Sequence, residues 1–157
     1  EPHELSELQS FSGEEIVRDK AQQAYERTGG PVLVNDDTWS IPALRGFPST
    51  SMKVCNHFLQ AEDWLRLMSG VTDRRIFLNS HYAFHNGKTI QTFMGQDEMY
   101  FLDQARGVHV QAPCLEVVAW AGSENSVAED IAAGAWAERQ NIGFWKEFAE
   151  ILRSEKV

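Results

Sequence analysis

Asn86-Gly87 falls between two runs of strand character, "RRIFLNSHYAF" and "KTIQTFM". No other feature constrains the fold as tightly. Asn and Gly both tolerate the positive φ angles of a tight two-residue turn, so this pair between such runs is the strongest short-range signal for a β-hairpin. "EMYFLD" then reads as a third antiparallel strand and "PCLEVVAW" as a further one.

Helices are expected on both sides of that meander. Ser12 with Glu15 forms a capping box. Ile16, Val17, Ala21, Ala24 and Tyr25 give the following helix an apolar side, and Gly29-Gly30 ends it. Pro31 to Val34 reads as a short buried strand, with Trp39 to Leu44 continuing the sheet beyond a kink. "GFPSTSMKVCNHFL" is a turn followed by a helix with Ser49 or Thr50 as N-cap. A second short helix begins at Ala61 and stops at Gly70. The tail from Ser126 onward is helical, and Phe144, Trp145, Phe148, Ile151 and Leu152 recur at the spacing that packs on a sheet. This order describes an α/β or α+β sheet with helices outside. With no internal repeat or low-complexity linker, the 157 residues read as one domain, 1–157.

Composition removes several function classes. A net charge of −9 argues against a nucleic-acid partner, because phosphate backbones call for clustered Lys and Arg, and the only adjacent basic pair is Arg74-Arg75. No apolar run approaches the roughly 20 residues that span a bilayer, and no signal peptide is visible, so no membrane partner is expected. Two cysteines, Cys55 and Cys114, imply no disulfide framework; both read as buried, inert thiols, and a reducing cytoplasm is the expected setting.

The stretch "GPVLVNDDTWS" carries the most suggestive chemistry. Four apolar residues run into Asn35, Asp36 and Asp37. In open α/β sheets ligands gather beyond the carboxyl ends of strands, and magnesium typically takes one or two protein carboxylates. Asn and Asp also favour turns by bonding nearby backbone, and on this segment alone the turn reading is the stronger. His81 and His85 are four apart in a β-like run, about 13 Å, too far for both rings to share one zinc ion. Core packing accounts for most of Trp39, Trp64, Trp120, Trp136 and Trp145. No G-x-S-x-G elbow, Walker loop or G-x-G-x-x-G is present.

Several segments together resemble the inosine triphosphate pyrophosphatase family, which removes non-canonical purine nucleotides. "EEIVRDKAQQAYERTGGPVLVNDDTWSIPALRGFPS" is similar to the family's E-N-A-x-x-K-A helix, its strand ending in acids and its A-L-G-G-x-P-G turn. "ELSELQ" resembles the segment carrying a magnesium-binding glutamate, and "FMG" of Phe93 to Gly95 the start of the F-x-G strand. The resemblance implies an α/β fold, a mixed central sheet with flanking helices, with the family's first strand missing, since its S/T-G-N-x-x-K loop has no counterpart before Glu1; an N-terminal truncation of the domain and a true loss of that segment are the two alternatives.

The resemblance also implies a reaction: metal-dependent hydrolysis of a nucleoside triphosphate to monophosphate and pyrophosphate. Glu7 and Asp36 would hold Mg2+, with Asn35 in the place of an acidic neighbour. Asp37 would help activate water, Lys53 would stabilise a phosphate oxygen, and Ser49 and Thr50 would join Lys53 on the substrate. Gln111-Ala112-Pro113-Cys114 stands where the family reads the base with G-W-D-P, and Gly143-Phe144-Trp145 where it has S-H-R, which implies an altered base preference. A homodimer is the assembly implied. The alternative is a non-catalytic relative serving as a binding or dimerisation module.

Overall fold

The computed structural model describes Ser6, residues 8–135 and residues 144–154. In chain order the elements are α1 (Gly13–Thr28), β1 (Val32–Ile41), β2 (Phe47–Ser49), α2 (Met52–Phe58), α3 (Ala61–Leu67), β3 (Arg75–His85), β4 (Ile90–Phe101), β5 (Val118–Trp120), α4 (Val127–Ala132) and α5 (Phe144–Ser154). The strands form one sheet in the order β2-β1-β3-β4-β5, so the fold is α/β with helices flanking a central sheet. β2 lies antiparallel to β1 with Trp39 opposite Ser49, and β5 antiparallel to β4 with Met99 opposite Trp120.

Several local expectations are met. Ser12 caps α1, its hydroxyl accepting the Glu15 N–H at 3.3 Å, and Gly29 closes the helix at φ 67°. The Glu15 carboxylate does not complete the box; it takes the Ser10 hydroxyl at 2.6 Å instead. The hairpin turns at Asn86-Gly87, with Gly87 at φ 96°.

Others are corrected. β1 does not stop at the acids but runs through Asn35, Asp36 and Asp37 to Ile41. A strand tolerates polar residues when alternate positions reach solvent; Asn35 and Asp37 are exposed, and Asp36 finds a cationic partner. "EMYFLD" is not a separate strand, because β4 passes through Gly95 without a break. Pro113 opens a short 3-10 turn to Glu116, which leaves only Val118–Trp120 for β5. The N-cap of α2 is Ser51, since pairing in β2 already occupies Ser49. α3 ends at Leu67, before Gly70. Among the described residues the tail holds two helices, and α4 ends at Ala132, just before Gly134 at φ 74°.

Contacts divide the chain into two compact units. The first comprises residues 1–37, 79–95 and 141–157, the second residues 38–78 and 96–140. In the first, the sheet is covered on both faces, as alternation predicts. Val17 and Ala21 of α1 pack with Val34, Ala83 and Ile90 on one side. Phe148 and Ile151 of α5 pack with Leu33, Tyr82, Phe84 and Phe93 on the other. The Phe148 ring meets Phe84 edge-on at 5.2 Å, a favourable aromatic geometry. His85 clasps the hairpin to α1: its Nδ1 accepts the Gly87 N–H at 2.9 Å, its Nε2 faces Gln22 Oε1 at 3.3 Å, and its ring stacks on Tyr25 at 4.1 Å.

The second unit holds the larger core, with Trp39, Trp64 and Trp120 all buried in it beside Cys55 and Cys114. Arg74 fastens its edge. The guanidinium donates to the carbonyls of Met68 at 2.7 Å, Leu102 at 2.6 Å and Phe101 at 3.4 Å. No helix among the described residues is long and apolar enough to cross a membrane.

Candidate active site

Strand alternation decides which acid faces what. Val34 and Asp36 turn toward α1, while Asn35 and Asp37 are exposed. Lys20 projects from the same stripe of α1 as Val17 and Ala21, and its Nζ lies 3.1 Å from Asp36 Oδ2. The other oxygen, Oδ1, accepts the Asp37 backbone N–H at 3.0 Å. Asp36 is thus held at both oxygens, with its side chain 26% exposed and that of Lys20 17%.

β3 adds His81 to this neighbourhood. A Cβ built on Gly13, the first residue of α1, would lie 2.3 Å from His81 Cδ2 and 2.4 Å from Nε2, so the ring rests directly on the glycine. Burial pushes the His81 pKa down, and the carboxylates of Asp36, Asp37 and Glu14 act in the opposite direction with less effect. Glu14 is itself anchored: Oε1 accepts from Arg18 Nε at 3.1 Å and from the Thr92 hydroxyl at 3.0 Å. The hydrogen bond from Arg18, then that from Thr92, hold its carboxyl below the ordinary carboxylate range. Beside these groups is a cavity of about 210 Å³ lined by Glu14, Val17, His81, Thr92, Phe93 and Met94.

Of the residues singled out in the sequence, Asp36 and Asp37 belong to the first unit, while Ser49, Thr50 and Lys53 belong to the second. Ser49 ends β2 at φ 55°, Thr50 lies in the following turn, and Lys53 stands exposed on α2. Glu7 lies outside the described residues, as do Trp136 and Gly143. Pro113 and Cys114, the surviving pair of the base-reading segment, are buried in the second unit.

Among the described residues no three of His, Cys, Asp and Glu are grouped to hold a metal ion. Magnesium does not need such a group: one or two carboxylates suffice, with water and phosphate oxygens filling the octahedron. A carboxylate has about four lone-pair positions. Lys20 and the Asp37 N–H contact one oxygen each, so Asp36 retains acceptor capacity and suits a hard cation.

Two members of the cluster carried no functional expectation. Lys20 falls among Ile16, Val17, Ala21 and Ala24, and a cation on the apolar stripe of a helix calls for a carboxylate partner. That signal was present. His81 had none, because the contact depends on Gly13, 68 positions away in sequence (81 − 13), and on strand register.

Comparison with known proteins gives a consistent result. The sequence model of the Ham1 family matches residues 1–110. A dITP/XTP pyrophosphatase of Saccharolobus solfataricus is 31% identical over 104 residues, covering 66% of this chain and 54% of that protein. An inosine triphosphate pyrophosphatase of Aspergillus fumigatus is 33% identical over 111 residues, covering 69% of this chain and 54% of its own length. The chain therefore spans about half the length of these curated relatives. Among solved structures, the Ham1 protein of Staphylococcus aureus superposes with a TM-score of 0.72 at 18% identity, over 94% of this chain and 81% of that one. The matching segment holds α1, β1 and the Lys20–Asp36 pair, and the protein belongs to the Ham1 family.

Proposed function

We propose that the protein hydrolyses a nucleoside triphosphate to monophosphate and pyrophosphate, with a base preference altered from that of its relatives. The observation that carries this reading is the Asp36 carboxylate, fixed by Lys20 and by the Asp37 N–H yet open to solvent on one side. Family membership and the names of the relatives, dITP/XTP and inosine triphosphate pyrophosphatases, support the substrate class.

Asp36 and Glu7 would hold Mg2+, which when bound supplies Lewis acidity and neutralises charge on phosphate oxygens. Lys20 orients Asp36. The attacking water would be activated by the metal or by an acidic neighbour such as Asp37. Lys53, with Ser49 and Thr50, binds phosphate oxygens electrostatically and by hydrogen bonds. The reading includes a homodimer acting in the cytoplasm.

The test is pyrophosphate release from a panel of nucleoside triphosphates, with and without magnesium, using the full natural chain. Release from one or more, lost in Asp36→Asn with the fold intact, supports the assignment. No release from any of them leaves the non-catalytic binding module as the reading. Sedimentation equilibrium tests the dimer independently.

A further inference from the structure

The His81 ring rests on a residue that has no side chain. Its Cδ2, Nε2 and Cε1 would lie 2.3, 2.4 and 2.8 Å from any Cβ at position 13, closer than non-bonded carbon and nitrogen atoms approach. A side chain at position 13 would therefore meet the His81 ring and make it shift, so the close approach favours glycine there for contact rather than for backbone conformation, because Gly13 is not among the glycines at positive φ. The ring closes the space between the first turn of α1 and β3.

Gly13, Val17, Lys20 and Ala21 follow one another at helical spacing, so they share one stripe of α1. The stripe meets the sheet at three levels. His81 supports Gly13 at the first, Val17 and Ala21 pack with Val34 and Ala83 at the second, and Lys20 pairs with Asp36. A helix is stiff over two turns, so a shift at Gly13 reaches Lys20 about 10 Å away along the axis. The cavity beside His81 matters here. About 210 Å³ of open space lies between Glu14, Val17 and Thr92, and the ring bounds that space.

We infer that His81 is a positioning residue: seated on Gly13, its ring sets the placement of α1 on the sheet and thereby the Lys20 ammonium against the Asp36 carboxylate. This rests on the assignment of Asp36 to the hydrolytic site. It gives the imidazole a steric role, so an aromatic ring of similar shape replaces it, and it makes Gly13 part of the same device.

The experiment measures kcat and KM for pyrophosphate release in the full natural chain and in His81→Ala, His81→Phe, Gly13→Ala and the double variant G13A/H81A, with circular dichroism on each. His81→Ala and Gly13→Ala should each lower kcat about tenfold or more with KM within threefold, since misplacement of a catalytic group by 1 Å can cost a hundredfold. His81→Phe should retain kcat within threefold. The double variant should be no slower than His81→Ala, because the glycine matters only while the ring is there. Gly13→Ala introduces the better helix former, which guards against simple unfolding of α1.

Wild-type kcat in His81→Ala overturns the inference, as does a His81→Phe variant as slow as His81→Ala, or losses that multiply in the double variant. If the unaltered chain releases no pyrophosphate, the proposed function fails and this inference with it. If that chain is active and His81→Ala matches it, only this inference fails.

Discussion

Lys20 reaches Asp36 from the apolar stripe of α1, Nζ to Oδ2 at 3.1 Å, and so joins the helix to the strand that carries both acids. The pair is neither a solvated surface bridge nor a fully buried one. At 17% and 26% side-chain exposure, each charge has lost much of its water and depends on the other. The same contact that steadies the fold aims the carboxylate proposed for metal binding.

Removing one partner should therefore cost more than a surface charge does. Lys20→Met and Asp36→Asn are each expected to lower unfolding free energy by about 1–2 kcal/mol, between the values for exposed and fully buried pairs. The double variant should lose less than the sum of the two. Urea denaturation of the four proteins measures the coupling, and a coupling below about 0.3 kcal/mol would mean the contact contributes no stability.

Arg74 offers a contrast between two kinds of charge contact on one side chain. Its guanidinium satisfies three backbone carbonyls, of Met68, Phe101 and Leu102, and also lies 3.4 Å from the fully exposed Asp103. Arg74→Met leaves those carbonyls without their donor and should cost about 2–4 kcal/mol. Lysine cannot supply the planar fork, so Arg74→Lys recovers only part of the loss. Asp103→Ala should leave the unfolding midpoint close to that of the parent protein. Midpoints of urea unfolding test all three; equal losses at positions 74 and 103 would show that the ion pair, not the carbonyl clamp, is what matters.

What could be read in the sequence followed from local rules. Ser12, Gly29 and Asn86-Gly87 mark helix ends and the hairpin turn because caps and turns are decided by neighbouring residues. The boundary of β1 could not be read this way. Asn35-Asp36-Asp37 has turn composition, and only the approach of Lys20 from another element makes Asp36 acceptable inside a strand. "EMYFLD" and "PCLEVVAW" were misdivided for a related reason: pairing, not composition, decides where β4 continues and where β5 begins. Within the site, the acids were visible and the His81–Gly13 contact was not, since a missing side chain leaves no signal of what rests on it.

The two cysteines give a prediction about reactivity. Both are unbridged and buried in the second unit, and burial pushes each thiol above its usual range, Cys114 the further because it is more completely buried, with Cys55 adding to the effect. The thiolate is the nucleophile, so both should resist modification in the folded protein. Ellman's reagent should find no rapidly reacting thiol under native conditions and two in guanidinium chloride. A fast-reacting thiol in the folded chain would contradict the packing of α2 against the turn at Pro113–Glu116, where the Cys114 N–H donates to Asn56 Oδ1 at 3.4 Å.

His81 should make stability depend on pH on the acid side of neutrality. Burial lowers its pKa below the ordinary value of 6.5 despite the carboxylates of Asp36 and Asp37 on β1 and Glu14 on α1. The unfolded chain therefore binds the proton more readily than the folded one, and stability rises with pH through this window. No stability is lost above the unfolded value. Below it, stability falls until the folded-state ring is also protonated, and the deficit is then constant. Unfolding free energies measured between pH 5 and 8 in the presence of a chelator should decline on acidification, and His81→Phe should flatten the decline. Equal slopes in the two proteins would show that the folded chain takes up a proton at His81 as easily as the unfolded one, against the effect of burial.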